Sequence, residues 1–204
     1  EYTLQNGMQV FVLEDFAAAP IRIEYAVKAG TNAQTPKTAG FFPLYTRLFV
    51  EAGKASYPEQ ADDWLPASAK ISCDTDAARC RMTIAPEEIE KAFSQLAYCA
   101  FSPSFSDANI AAQFTALKNE VMNYSFSTAG FMNASIDARI YADAPWKRDS
   151  GVYPALFTKT PLAGVRTVLM NIARSYYVPE KSALFISGGI RKEAALKAAE
   201  KTFG

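Results

Sequence analysis

The sequence predicts an α+β domain, in which a mostly antiparallel sheet packs against several long helices. Strand patterns are concentrated at the start of the chain, helical patterns occupy the middle, and one strand and one helix close it. That order differs from the regular alternation of strands and helices that builds a parallel sheet. Half of the 204 residues are hydrophobic and 13% are aromatic, which is enough for a substantial core.

The first two strand patterns cover residues 2–4 and 8–13 and are joined through Asn6-Gly7. This dipeptide is typical of a tight β-hairpin turn. The alternation around Val10 indicates a sheet with one buried face. A third strand is predicted over residues 21–29, after a loop that contains proline.

A buried helix is predicted within residues 38–53, where Gly53 marks its expected end. Pro43 fits such a helix only in the first turn, where its missing N–H has no intrahelical partner to lose. The apolar residues recur at helical spacing: Phe42, Tyr45, Leu48 and Phe49.

Two more helices are predicted on either side of a hairpin that covers residues 70–84. The first spans residues 57–69, with Pro58 at its first position, Trp64 packed inward, and Pro66 ending or kinking it. The second begins directly after the hairpin with two acidic residues in its first turn, which the helix dipole favours. Its buried stripe is Ile89, Phe93, Leu96 and Ala100, with Cys99 as a further buried residue.

Cys73 and Cys80 flank the turn of the predicted hairpin. A two-residue turn at Asp76-Ala77 would place these cysteines opposite each other. The same register would place Asp74 opposite Arg79, and the opposed charges support it. Facing residues have Cα atoms about 4.5–5.5 Å apart, within the range of a disulfide. A disulfide here stays an open alternative, and it would indicate an exported, for example periplasmic, protein.

Three helices are predicted in the second half of the chain. The first is long and is capped by Ser106 or Asp107. The second covers residues 131–141, and the third opens at Thr160-Pro161. A loop is predicted between them over residues 146–160, and a short strand and a last helix follow.

The charge balance excludes some classes of partner. Lys+Arg and Asp+Glu number 21 each, so there is no electrostatic case for binding nucleic acid or an anionic membrane surface. No apolar run approaches the roughly 20 residues that a membrane-spanning helix needs. The chain opens at Glu1, inside a strand pattern and without Met, so the absence of a targeting segment is uninformative.

Several features follow one another in a recognisable order. The Asn6-Gly7 hairpin precedes a strand ending in Ala29-Gly30, and a helix anchored by Gly40 comes next. The chain closes with Gly188-Gly189 after a strand and with Phe203-Gly204. This order resembles the N-terminal half-domain of the M16 zinc peptidases, which include insulinase, pitrilysin and the mitochondrial processing peptidase. The resemblance implies one domain over residues 1–204, as half of a longer two-domain chain.

In that family the Gly-anchored helix carries the motif H-x-x-E-H. Here Pro43 stands at the first His position, Thr46 at the catalytic Glu position and Arg47 at the second His position. Proline offers no ligand, threonine is not a carboxylate base, and a guanidinium is always cationic. The chain contains no His at all. The resemblance therefore implies a degenerate motif with no catalytic residues, and no cofactor where active relatives hold zinc.

The third zinc ligand of the family is a Glu on the long helix, and Glu120 matches it. Gln113 stands where the family often has a further acidic residue. One carboxylate is not a zinc site, which needs about three protein ligands. Glu120 is thus either a solvated helix residue or, if the family geometry holds, the partner of Arg47 in a salt bridge.

The resemblance favours a catalytically inactive domain that pairs with an active M16 subunit or a second M16-like domain around a peptide-binding chamber. On its own the chain is predicted not to be an enzyme. Two alternatives stay open: a zinc-dependent endopeptidase with an unconventional site, and a purely structural peptidase-related subunit. Without His there is no Ser-His or Cys-His dyad. Three aromatic residues in the predicted loop could serve a partner surface: Trp146, Tyr153 and Phe157.

Overall fold

A computed structural model describes residues 1–35, 38–57, 64–66, 68–140 and 162–204 of the chain. Apart from the helix predicted over residues 57–69, strands and helices in these ranges follow the predicted order. The strands are β1 (Tyr2–Thr3), β2 (Gln9–Glu14), β3 (Ile21–Val27), β4 (Lys70–Cys73), β5 (Ala78–Ile84) and β6 (Ser182–Gly188). The α-helices are α1 (Phe41–Ser56), α2 (Ile89–Phe101), α3 (Asp107–Ser125), α4 (Thr128–Ile140), α5 (Leu162–Tyr176) and α6 (Lys192–Phe203).

The six strands form one sheet in the order β1-β2-β6-β3-β5-β4. Only the β2–β6 pair is parallel, so the predicted α+β class with a mostly antiparallel sheet is confirmed. Strand β6 comes from the end of the chain and lies between β2 and β3, which ties the two ends of the sequence together. The side chains of β3 alternate: Ile21 and Ile23 are buried beneath the helices, and Arg22 is exposed on the open face. The prediction of one buried face is confirmed.

Helix α1 is the most deeply buried element of the helical layer and contacts α2, α3 and α5. Gly40 precedes it with a φ of 86°, a left-handed conformation that glycine adopts without strain. The Gly40 N–H donates a hydrogen bond of 2.6 Å to Oε1 of the buried Gln34. Pro43 lies in the first turn, as predicted. The side chains that α1 buries at 3% exposure or less include Phe41, Phe42, Leu44, Tyr45, Leu48 and Phe49.

The prediction that Gly53 ends α1 is wrong, because the helix continues to Ser56. Gly53 instead faces Cys99 on α2. A Cβ at position 53 would lie 2.6 Å from the Cys99 Cα and 2.3 Å from its Sγ. The glycine is therefore required by the close approach of two helices, and not by a change of backbone conformation.

The prediction of a helix over residues 57–69 is also wrong for those of its residues that the structure describes. Residues 64–66 are not helical, and Leu65 has a φ of 46°. Its N–H donates to Oε1 of Gln95 at 3.2 Å, so a contact with α2 replaces a helical hydrogen bond. Trp64 does pack inward, half-buried, with its ring centroid 4.9 Å from that of Tyr57. The predicted helix start at Pro58 lies outside the described residues.

The hairpin of β4 and β5 forms, but its predicted register is wrong. Cys73 pairs with Ala78, and Ile71 pairs with Cys80. The Asp74 carboxylate is the cause, because it accepts hydrogen bonds from the N–H groups of residues 76 and 77, at 3.1 and 2.9 Å. These bonds close a four-residue loop in place of the two-residue turn. Cys73 and Cys80 do not face each other, and all three cysteines are free thiols.

We expect three titratable thiols from the unfolded protein without reductant. In the native protein Cys80 and Cys99 should react slowly, because burial raises the pKa of both thiols, that of Cys80 to about 12, and the thiolate is the reactive form. The half-buried Cys73 should react first. Thiol titration before addition of denaturant measures how fast each thiol reacts in the native protein. The titration after addition of denaturant counts the thiols of the unfolded protein. A single titratable thiol in the unfolded, unreduced protein would contradict the assignment.

The second half of the chain agrees with the sequence over the described residues. Ser106 caps α3 by accepting a hydrogen bond of 3.1 Å from the Asn109 N–H. Helices α4, α5 and α6 and strand β6 are all present. The predicted loop at 146–160, its three aromatic residues and the helix start at Thr160-Pro161 lie outside the described residues. Among the helices described, none combines the length and hydropathy needed to cross a bilayer.

Candidate functional site

The three positions that the resemblance places at the family motif lie on α1, and Glu120 on α3 contacts one of them, Arg47. Pro43, Thr46 and Arg47 are spaced i, i+3 and i+4, which brings them to one side of the helix. The Arg47 guanidinium binds the Glu120 carboxylate with both of its terminal nitrogens. The Nη1–Oε1 distance is 2.9 Å, and Nη2 contacts Oε2. Two residues 73 positions apart thus form a bidentate ion pair that joins the two helices.

Thr46 directs its hydroxyl into α1 itself. The side chain is buried, and its Oγ1 donates a hydrogen bond of 3.0 Å to the Phe42 carbonyl oxygen. Such a bond to the preceding turn is the usual way for a buried threonine to satisfy its hydroxyl inside a helix. Pro43 is half-buried beside it. Neither side chain offers a base to a substrate.

Aromatic side chains pack against the buried side of α1. Tyr45 and Tyr177 lie with ring centroids 4.2 Å apart, and Phe105 packs edge-on against Tyr45 at 5.5 Å. Burial raises the pKa of both tyrosines well above their ordinary value. Both phenols are neutral at physiological pH, as an ordinary tyrosine is, and burial favours the neutral form further.

The residues present do not fit a zinc site. Zinc takes about three protein ligands from Cys, His, Asp and Glu. Of the four corresponding positions, only Glu120 supplies such a group, and its carboxylate is already bound by a cation. In the part of the chain that the structure describes, no cluster of three His, Cys, Asp or Glu side chains could hold a metal ion.

The pH dependence of stability should report the ion pair. Hydrogen bonds from Arg47 hold the pKa of Glu120 below its usual value of 4.5. Because the folded pKa is the lower one, the pair stabilises the protein above about pH 4.5 and loses this contribution as the pH falls. Glu120 is 58% exposed, so we expect at most about 1 kcal/mol. The measurement is the unfolding free energy of the protein minus that of Glu120→Gln, by denaturant titration at neutral pH and at about pH 3. An equal difference at both pH values would contradict the ion pair.

Comparison with known proteins identifies the fold. No family model and no curated protein matches the sequence. Solved structures do match. A protease from Helicobacter pylori superposes with a TM-score of 0.83 at 14% identity, over 99% of this chain and 49% of that one. The periplasmic protease PqqL from Escherichia coli gives a TM-score of 0.80 at 10% identity, over 99% and 23% of the two chains.

An M16-like peptidase from Alicyclobacillus acidocaldarius matches with a TM-score of 0.79 at 14% identity, over 99% and 48% of the two chains. The chain has the M16 peptidase fold. It spans about half the length of the Helicobacter pylori protease and of the M16-like peptidase, and about a quarter of the length of PqqL.

Of the sequence-predicted site residues, the structure brings Arg47 and Glu120 into contact. The salt bridge between Arg47 and Glu120, one of the two alternatives for Glu120, is present. Gln113 lies half-buried on α3, about two turns before Glu120. Sequence reasoning missed the contact that positions the start of α1, the hydrogen bond from Gly40 to Gln34. A glutamine in a loop carries no motif, so no signal in one sequence could have found it.

Proposed function

We propose that this chain is a catalytically inactive M16-like domain. In this proposal it associates with an active M16 subunit, or with a second M16-like domain, and forms part of the wall of a chamber that holds peptide. The residues 1–204 are one half of such a two-domain arrangement. The observation that carries the proposal is the Arg47–Glu120 ion pair, at the place where the resemblance to the family puts the metal.

The ion pair opposes metal binding in two ways. A guanidinium stays cationic at all physiological pH values, so it repels a divalent cation. It also occupies both oxygens of Glu120, the only residue of the corresponding set that could be a ligand. The missing catalytic carboxylate adds to this, because Thr46 uses its hydroxyl within the helix. A domain that keeps its shape while its site changes is expected where the shape itself has the function.

The share of each structural neighbour that this chain covers supports the proposed association with another M16-like domain. This chain corresponds to about half or a quarter of proteases whose remaining length has no counterpart here. A chamber needs opposing walls, which a single half-domain does not supply. The partner of the proposed function is therefore another M16-like domain, on the same chain or on a different one.

The purely structural role differs from this proposal in one measurable property. A chamber-forming domain raises the peptidase activity of its partner, whereas a structural subunit binds without changing it. The endopeptidase with an unconventional site differs more strongly, since it would cleave peptides alone.

Cleavage of an unfolded peptide by the partner alone, by this protein alone and by their mixture tests the proposal. We expect cleavage by the partner to rise in the mixture, none by this protein alone, and a stable interface of more than about 1,000 Å². Arg47→Ala in this protein should leave the activity of the mixture unchanged, because the ion pair is not catalytic. Chelator-sensitive cleavage by this protein alone, after removal of contaminants, would overturn the proposal.

A further inference from the structure

The face of the sheet that turns away from the helices carries an open groove of about 630 Å³. One row of side chains crosses this face of the sheet in register over five strands, and four of its five residues line the groove. Neighbouring strands lie about 4.8 Å apart, so the row is about 19 Å long. From one end to the other it consists of Phe11, Phe185, Glu24, Arg81 and Lys70.

The two ends of this row, which we call the sheet-face row, differ in chemistry. Phe11 and Phe185 stack at one end, with ring centroids 4.8 Å apart and planes within 9°. Phe185 keeps 41% of its surface exposed. The other end is basic, because Lys70 and Arg81 lie side by side there.

The basic end has more positive charge than its own carboxylate can balance. Arg22, Lys70 and Arg81 line the groove with three positive charges, and Glu24 supplies one negative charge. Glu24 already binds Arg81 at 2.6 Å and Arg79 at 3.1 Å. Arg22 and Lys70 are exposed, and neither forms an ion pair with any residue that the structure describes. This local excess lies on a chain whose formal net charge is zero.

We propose that the sheet face binds an extended peptide segment that carries an aromatic or large aliphatic residue and, three to four residues away, carboxylate side chains. This inference goes beyond the proposed function, because the open sheet face turns away from the helices, and the Arg47–Glu120 pair joins two of those helices. Phe185 lies two strands from Arg81 and three strands from Lys70, which is about 10 to 14 Å. An extended chain covers that distance in three to four residues, at about 3.4 Å per residue.

A peptide fits the charge pattern better than a nucleic acid. Glu24 lies between the aromatic and the basic ends of the sheet-face row. A phosphate backbone would carry a negative charge past it at every step. A peptide can place a neutral residue opposite Glu24 and its carboxylates opposite Lys70 and Arg22.

The test is fluorescence anisotropy of a short labelled peptide with one Phe and with Glu three and four residues further on, at low salt. The comparison peptide has Lys in place of both Glu. We expect the acidic peptide to bind the protein, and the double variant Arg22→Glu/Lys70→Glu to weaken binding at least about tenfold. The matched control is Arg174→Glu/Lys197→Glu, which changes the net charge equally at exposed positions of α5 and α6. It should bind like the unmodified protein.

A separate substitution tests the contact between Phe185 and the aromatic residue of the peptide. Phe185→Ala should weaken binding of the Phe-containing peptide and leave unchanged the binding of a peptide with Ala in its place. Equal binding of the acidic and basic peptides, no binding of either, or equal loss in the control variant would overturn the inference. So would tighter binding of a single-stranded oligonucleotide, or a dimer of this chain by light scattering that Arg22→Glu/Lys70→Glu dissociates. These outcomes leave the proposed function standing if the mixture with a partner still gains peptidase activity.

Discussion

The double substitution Pro43→His/Arg47→His is expected to create a zinc site between α1 and α3. The two imidazoles and the Glu120 carboxylate would supply the three protein ligands that a zinc site needs. We expect binding of about one zinc per chain, with a dissociation constant on the order of 1 µM, or about 8 kcal/mol of binding free energy. Calorimetric titration of the metal-free variant measures both.

The geometry of the ion pair is the reason for this expectation. The Arg47 nitrogen reaches within 2.9 Å of Glu120. Because histidine is shorter than arginine by roughly 2 Å, its ring nitrogen would lie about 5 Å from the Glu120 carboxylate. A zinc ion with one bond of about 2.0–2.1 Å to each side chain spans about 4 Å, so a small side-chain movement closes the site. The substitution also removes the cation that now opposes the metal.

Glu120→Ala in the same double variant is the control. It should abolish zinc binding, whereas Glu51→Ala, at an exposed position on α1, should not. A folded double variant that binds no zinc would show that positions 43, 47 and 120 do not share a ligand geometry.

Two Gly→Ala substitutions in helices should change stability in opposite directions. Gly53→Ala places a methyl group 2.6 Å from the Cys99 Cα, and backbone cannot yield as a flexible side chain can. We expect a loss of about 2–3 kcal/mol or more, because overpacking forces α1 and α2 apart. A Cβ at Gly164, in contrast, would lie more than 4 Å from every atom of the described residues outside the adjacent residues and the backbone of α5 itself. Gly164→Ala should therefore stabilise α5 by about 0.5–1 kcal/mol.

Thermal unfolding of the two variants beside the unmodified protein gives the measurement. At about 2–4 °C per kcal/mol for a chain of this size, the midpoints should differ by roughly 5 °C or more in total. A Gly53→Ala variant as stable as the unmodified protein would contradict the close packing of α1 on α2.

Local patterns in the sequence predicted those parts of the fold that local physics determines. The Asn6-Gly7 turn, the first-turn Pro43 and the Ser106 cap each specify a backbone conformation by their own chemistry. The stripe from Ile89 to Ala100 predicted a buried face, because its spacing matches the helix period.

The errors arose where a distant contact decides the outcome. Gly53 carries the usual signal of a helix end, but the packing of Cys99 on α2 is what requires glycine there. The turn after Cys73 has four residues because the Asp74 carboxylate binds two backbone N–H groups, which the charge pairing of Asp74 with Arg79 did not reveal. That ion pair nevertheless forms across the loop.

The candidate site also depends on a contact between residues that are distant in the sequence. Arg47 and Glu120 are 73 residues apart, and no local pattern connects them. Only the resemblance to the M16 peptidases gave a reason to expect the two side chains together. Their bidentate hydrogen bonding, and the hydroxyl of Thr46 turned into its own helix, required the structure.

The zinc content of the unmodified protein tests the central claim most directly. After incubation with zinc and dialysis, elemental analysis of the protein and of Glu120→Ala should give the same value, well below one zinc per chain. The Arg47–Glu120 ion pair predicts this result, since the only carboxylate at the site is bound by a guanidinium. One zinc per chain in the unmodified protein, lost in Glu120→Ala, would contradict it.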